Sequence, residues 1–259
     1  MSFGDFTGVA ADYARYRPDY SKSVVRAALG LTGKQFTNIR AADIGAGTGI
    51  FTAMLANAGI AEISAVEPND EMRKVGIAQN YLAQVDWNSG SAENTGLPES
   101  SFDWISMASS LHWADFEAAT REFHRILDHD GIFTCIWNTR KYEDNPVLLD
   151  IEDYLIGSIP NLRRVSSGRS GITTNLTERL NNCQWFHDVI YLEGQHVIEM
   201  SPARYLGVWR TVNDIRVQLG EDKFENFIKF INRRIEGLKT IPCGYLTRAW
   251  CAHVAKPND

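Results

Sequence analysis

Between Ile39 and Trp137 short apolar runs alternate with stretches of helical period, and this alternation restricts the chain to consecutive βαβ units that build a parallel sheet. A first strand near Ile39–Ile44 runs into the turn Asp43-Ile44-Gly45-Ala46-Gly47-Thr48-Gly49. Ile50–Ala56 comes next as a helix with Phe51, Met54 and Leu55 on one face, ended by Gly59. A second strand, Ile63–Glu67, stops at Pro68, and Asn69 or Asp70 can cap a helix running through Gln79. A weaker third strand lies near Val85–Trp87. A fourth, Phe102–Ala108, leads to Ser109-Ser110-Leu111-His112-Trp113, where Asp115 opens an amphipathic helix ending near Leu127. Asp130-Gly131 then turns into a fifth strand, Ile132–Trp137.

After Trp137 the rhythm changes. Residues 138–180 and 201–240 read as helices and loops, two insertions lying as lids over one end of the sheet. The strand-like stretches Val189–Met200 and Leu246–Val254 bring the total to seven strands, and residues 1–30 read as a helical extension interrupted at Pro18. The 259 residues thus form one domain, 1–259, and a content of 44% apolar and 22% charged residues excludes a fibrous or largely disordered chain.

The net charge of −6, with no run of Lys and Arg, argues against a nucleic acid partner. The nearest basic cluster, Arg163, Arg164 and Arg169, is a solvated loop or at most a small anion site. No apolar run approaches the ~20 residues needed to span a bilayer, and Met1–Asp5 lacks the pattern of a signal peptide, so no membrane partner and a cytoplasmic location are expected. Cys135, Cys183, Cys243 and Cys251 are scattered, and His124, His129, His187 and His196 show no ligand spacing, so no metal site is expected. The sequence leaves the oligomeric state open.

In an open parallel sheet, ligands collect beyond the carboxyl ends of the strands. Gly45, Gly47 and Gly49 let the backbone turn sharply and approach a ligand there, and the next helix offers unpaired N–H groups. The dinucleotide fingerprint is G-x-G-x-x-G, whereas this turn is G-x-G-x-G followed by Ile50. Asp43 would oppose a pyrophosphate but can organise the loop and a cationic amino-acid tail. Both details favour S-adenosylmethionine over NAD. Glu67, about twenty residues on, is placed to accept both hydroxyls of a ribose.

The segments Asp43–Ile50, Ala65–Asn69, Gly90-Ser91-Ala92-Glu93 and Ser110–Trp113 resemble the successive motifs of class I methyltransferases, and the similarity extends to Tyr13–Tyr20 and Gly244–Arg248. The chain most resembles the small-molecule group that includes trans-aconitate and ubiquinone-pathway methyltransferases. The resemblance implies a Rossmann-like, doubly wound, mostly parallel sheet with helical lids, S-adenosyl-L-methionine as cofactor and S-adenosyl-L-homocysteine as product. By this similarity Gly45, Ala46, Gly47, Thr48 and Gly49 line the methionine and ribose side, Glu67 and Pro68 hold the ribose end, and Ser91, Ala92 and Glu93 border the adenine. Many relatives carry Asp where this chain has Ser91. Ser109 and Ser110 would lie beneath the methionine, and Tyr13 with Arg17 would close over its carboxylate or simply pack an amphipathic helix.

Methyl transfer needs nucleophile, methyl and sulfur in line, so positioning alone can supply much of the rate. His112 is the best-placed candidate for a general base if the acceptor is a hydroxyl, thiol or protonated amine; its alternative is a packed histidine beside Trp113. Tyr13 and Tyr16 are candidates for acceptor positioning, and Trp113, Phe116, Trp137 and Trp209 for the acceptor wall, with helical core the alternative for Trp209. With no Asn/Asp-Pro-Pro-Tyr-like segment after the fourth strand, the acceptor is expected to be a small molecule. Two rival functions remain at this level: an NAD-dependent oxidoreductase, and a methyltransferase-like subunit that supports a partner without turnover.

Overall fold

The computed structural model describes residues 8–81, 83–164 and 171–256. Its first half forms five parallel strands: β1 (Arg40–Ile44), β2 (Glu62–Val66), β3 (Gln84–Asn88), β4 (Phe102–Ala108) and β5 (Leu127–Lys141). Helices α1 (Ala10–Tyr16) and α2 (Lys22–Gly30) precede them, and α3 (Ile50–Ala58), α4 (Asp70–Ile77) and α5 (Phe116–Ile126) lie between them. After β5 come α6 (Pro146–Ser158), α7 (Leu176–Asn181), β6 (Phe186–Met200), α8 (Pro202–Arg210), α9 (Asn213–Leu219), α10 (Glu221–Ile235) and β7 (Ile241–Val254). The sheet order is β3-β2-β1-β4-β5-β7-β6, with β7 antiparallel to both neighbours. This is the parallel βαβ sheet expected from the alternation, completed to the seven-stranded, mostly parallel, Rossmann-like sheet that the resemblance implies. Strand order reverses at β1, which lies between β2 and β4, so the ligand crevice opens there.

Local chemistry fixes the crossovers. Asn69 caps α4 by accepting the Glu71 and Met72 N–H groups, and Asp115 caps α5 by accepting that of Ala118. Each such cap is worth ~1 kcal/mol. Gly59 ends α3 at φ 110°, a left-handed conformation that suits glycine. Apolar side chains then fill both faces of the sheet: Val25, Leu29, Phe51 and Leu55 pack on one, Phe123, Leu176 and Leu180 on the other. A third cluster joins α6, α8, α9 and α10 to the start of β7 through Leu155, Trp209, Phe227, Ile231 and Tyr245. The helical lids therefore have a core of their own.

Strand ends differ from the apolar runs that announce them. β5 continues to Lys141 and β7 begins at Ile241, because Asn138–Lys141 pair antiparallel with Gly244–Thr247. Backbone pairing extends the strands where polar side chains conceal them, so the insertion beginning at Asn138 opens as strand rather than lid. β6 likewise starts at Phe186, before Val189, with a register shift between His187 and Ile190. Among the described residues no helix is long and apolar enough to cross a membrane, and no cluster of His, Cys, Asp or Glu is arranged to hold a metal. Arg169 lies outside the described residues.

At the amino end of the sheet Asp103, its side chain only 3% exposed, clamps β4 to β1. It accepts the Arg40 backbone N–H at 2.7 Å, the Arg40 guanidinium at 2.7 and 3.1 Å and the Lys34 ammonium at 2.7 Å. Burial works to raise its pKa, but the bonds from Arg40 and Lys34 outweigh it and bring it down to about 2. A folded pKa below the unfolded ~3.9 contributes stability that is complete above that value and lost as pH falls through 2. Asp103→Asn is expected to lower the unfolding free energy by ~2–3 kcal/mol at neutral pH and to flatten its decline between pH 4 and 2, as read by denaturant melts across pH.

Candidate functional site

Asp43 lies near the end of β1 and anchors the glycine turn. It is fully buried, and its two oxygens accept the Thr52 hydroxyl of α3 at 2.7 Å and the Ser106 hydroxyl of β4 at 2.8 Å. Burial raises its pKa to about 6 against those two hydrogen bonds. The turn itself is latched to β2, since Gly45 and Ala46 donate their N–H groups to the Val66 carbonyl at 2.8 and 3.0 Å. Gly45 has φ 68°, and a Cβ there would lie 2.8 Å from the Ser110 side chain, so only glycine fits. Gly47, at φ 59°, faces open space.

Glu67 sits across this turn at the end of β2, only 7% exposed. Its oxygens accept the Gly47 and Asn69 N–H groups, each at 2.8 Å. Burial raises its pKa, and the Asn69 and Gly47 N–H groups work the other way. A cleft of about 390 Å³ opens between these residues and the helical lids. Its wall includes Tyr13, Arg17, Asp43, Gly45, Ala46, Gly47, Thr48, Glu67, Pro68, Ser91, Ala92, Glu93, Ser109, Ser110 and Trp113. Nearly all the residues singled out for the cofactor thus meet on one surface, although they come from separate stretches of chain. Gly49 is the exception: at φ 82° it is backed by Tyr81, whose hydroxyl would lie 2.1 Å from a Cβ placed there.

The adenine-side candidates are tied to the next crossover, because Glu93 accepts the Asp115 N–H at 2.8 Å. Ser109 comes directly after β4 with φ 54° and shares a 2.8 Å hydrogen bond with the Tyr20 hydroxyl, while Ser110 donates to the Ile44 carbonyl at 3.2 Å. Arg17 lies 4.8 Å from the Tyr13 ring and donates to the Thr211 hydroxyl and carbonyl at 2.9 and 2.7 Å. The extension is thereby strapped to the end of α8.

Several acceptor-side expectations are corrected by packing. Tyr16 is not on the cleft wall; its ring lies against Gly207, where a Cβ would stand 2.4 Å from it. Phe116 is buried against the sheet under the Arg179 guanidinium, 4.0 Å from its ring centre. Trp137 is fully buried edge-on to Trp250, and Trp209 is buried edge-on to Phe227. These large apolar rings are held by the cores because burying each removes 150–250 Å² from water. The cleft wall on that side includes Asn138, Arg140, Tyr142, Glu152, Asp214 and Tyr245. Tyr20 also lines the cleft; its place in the Tyr13–Tyr20 segment was the available signal. Arg164 reaches the cleft too, ion-paired with Glu152.

His112 is likewise absent from the cleft wall, and its ring packs 4.5 Å from that of Trp113. Both ring nitrogens are buried with no hydrogen-bond partner among the described residues. Burial lowers its pKa to about 4. That leaves a neutral ring at pH 7, packed beside Trp113. Because the folded pKa lies below the unfolded ~6.5, the ring contributes stability above that value that is lost as pH falls through 4. A proton NMR titration should therefore find the His112 ring unprotonated from pH 8 to 5, with its midpoint near 4.

Residues 42–135 match a family described as a methyltransferase domain. An uncharacterized methyltransferase of Mycobacterium tuberculosis is 33% identical over 140 residues, 54% of this chain and 53% of that protein. The ubiquinone/menaquinone biosynthesis C-methyltransferase UbiE of Rubrivivax gelatinosus is 37% identical over 95 residues, 36% of this chain and 37% of its own. The chain spans about half the length of the first of these curated relatives. Among solved structures, a protein of Anaeromyxobacter dehalogenans assigned as a type II methyltransferase superposes with a TM-score of 0.61 at 20% identity, over 92% of this chain and 97% of that one. Phosphoethanolamine N-methyltransferase 2 of Haemonchus contortus, solved with phosphomonomethylethanolamine and S-adenosylhomocysteine, superposes with a TM-score of 0.52 at 14% identity, over 100% of this chain and 61% of its own. The fold is that of the class I methyltransferases.

Proposed function

We propose that the chain, whose residues 42–135 match a family described as a methyltransferase domain, transfers a methyl group from S-adenosylmethionine to an O, N or S atom of a small-molecule acceptor. The observation that carries this reading is the meeting of Glu67 with the Gly47 N–H at the point where strand order reverses. A carboxylate there can take the paired hydroxyls of a ribose, and each of its oxygens keeps a lone pair after accepting a backbone N–H.

The residues present suit that cofactor. Open space lies in front of Gly47, and the buried Thr48 hydroxyl has no hydrogen-bond partner among the described residues. Asp43 puts a carboxyl group at the base of the turn, which suits a cationic ligand better than a pyrophosphate and weighs against NAD. When bound, S-adenosylmethionine supplies a methyl group already activated on a sulfonium.

The chain's own part is binding and alignment. Gly45, Ala46, Gly47 and Thr48 form the floor, Glu67 and Pro68 hold the ribose end, and Ser91, Ala92 and Glu93 border the adenine. Ser109 and Ser110 lie under the methionine end, with Tyr13 and Arg17 above it. Trp113 and the β5 and β7 residues enclose the acceptor and exclude water. With His112 off the wall, rate comes from positioning rather than from that base.

Calorimetric titration tests the reading. The wild type is expected to bind S-adenosylmethionine and S-adenosylhomocysteine at micromolar concentrations and NAD not measurably. Glu67→Ala removes charge-assisted hydrogen bonds and should weaken both by ~10–100-fold. Gly47→Val places a branched side chain at φ 59° in the mouth of the site and should abolish binding. A folded wild type that takes NAD and neither adenosyl compound would overturn the proposal.

A further inference from the structure

The two halves of the cleft meet at a pair of hydroxyl groups. Ser109, the first residue beyond β4, has φ 54°, a left-handed backbone that a residue with a side chain adopts only where its surroundings hold it there. Its N–H donates to the Ile136 carbonyl of β5 at 2.8 Å, and its hydroxyl shares the 2.8 Å hydrogen bond with that of Tyr20. Tyr20 is fixed in turn. Its ring stands edge-on to Phe51, 5.3 Å between ring centres. Its chain neighbours are held by β5 and β7: the Asp19 carbonyl accepts the Asn138 side-chain amide and the Ser21 N–H donates to the Thr247 hydroxyl, each at 2.8 Å. On the other side Ser110 donates to the Ile44 carbonyl at the foot of the glycine turn. The pair therefore stands between the glycine-turn floor and the wall built by β5 and β7, and both residues line the cleft.

One hydrogen bond between two hydroxyls uses a single proton and a single lone pair. Neither hydroxyl makes another hydrogen bond among the described residues, so the second proton and further lone pairs are left for a ligand. Burial, with Tyr13 and Asp43 adding to it, raises the Tyr20 pKa, so the hydroxyl stays protonated and can orient a ligand without acting as a base. A methyl group passing from the floor to the wall must cross the junction of the two halves, and there nucleophile, methyl and sulfur have to lie in line. We propose that the Tyr20 and Ser109 hydroxyls mark the transfer point and position the acceptor, whose nucleophilic group donates its hydrogen to the pair and so turns a lone pair toward the methyl. The inference rests on the methyltransferase reading and makes Tyr20, acting with Ser109, a positioning residue of that reaction.

Sinefungin probes this point, because it carries an amine where the cofactor carries its methyl. The full chain is titrated calorimetrically with sinefungin and with S-adenosylhomocysteine, which has nothing at that position. Tyr20→Phe keeps the ring and removes the hydroxyl, and Ser109→Gly removes the other hydroxyl while suiting the left-handed backbone. Each variant is expected to weaken sinefungin ~10-fold or more and S-adenosylhomocysteine less than ~2-fold, because only sinefungin loses a hydrogen bond from a charged group. The double variant should lose little more than either single one, since the two groups act as a pair. Equal weakening of both compounds, the mark of a merely structural role, or weakening of neither would overturn the inference. Where a variant does not fold, the wild type decides: it is expected to hold sinefungin more tightly than S-adenosylhomocysteine, and the reverse order overturns the inference. A folded wild type that binds neither compound would remove the methyltransferase reading and this assignment with it, whereas binding of both without the split removes the assignment alone.

Discussion

The buried carboxyl group of Asp43 is the constraint from which the rest of the site takes its position. It ties the end of β1 to the first turn of α3 through Thr52 and to β4 through Ser106, so three elements converge immediately before the chain enters the glycine turn. A buried carboxyl group is tolerated only because both oxygens are hydrogen-bonded, and burial still raises its pKa to about 6. The turn can then be thin and poor in side chains, because its course is set from outside by Asp43, by the Val66 carbonyl and by Glu67. Rigid supports around a loop are what place its N–H groups usefully.

That arrangement explains why the glycine-turn end of the cleft, proposed for the cofactor, was legible in the sequence. Strand, glycine turn, helix and the carboxylate about twenty residues later are linked by local geometry, so spacing along the chain translates directly into spacing in the site. Asn69, Asp115 and Gly59 carry the same kind of local information, and each sits where its cap chemistry requires. Gly49 shows the limit of reading a motif residue by residue: it serves the packing of Tyr81 rather than the cleft.

The opposite end, proposed for the acceptor, was not legible, for a physical reason. Its wall combines β5 and β7 residues such as Arg140 and Tyr245 with Glu152 of α6 and Asp214 of α9, stretches far apart in sequence that converge only because β7 inserts antiparallel between β5 and β6. Apolar content is a misleading guide there. Trp137, Trp209 and Phe116 are the most conspicuous side chains of these segments, and for that reason the cores claim them. What remains for the cleft is the polar face of a strand whose apolar signal has already ended, and so Asn138–Lys141 reads as loop.

The two cores also locate the cleft. One fills the two faces of the sheet and takes in Leu176 and Leu180 of α7; the other belongs to α6, α8, α9 and α10 and reaches the sheet through β7. Between them run the α1 strap, fixed by Arg17 to Thr211, and the β5 and β7 extensions that bear Arg140 and Tyr245. A seam between two separately packed bodies can hold polar and charged groups that neither core would accept. The glycine-turn floor belongs to the first body and most of the wall proposed for the acceptor to the second. Their chemistries can therefore vary independently: one class of fold can retain its cofactor turn while the residues facing the acceptor change with the molecule to be methylated.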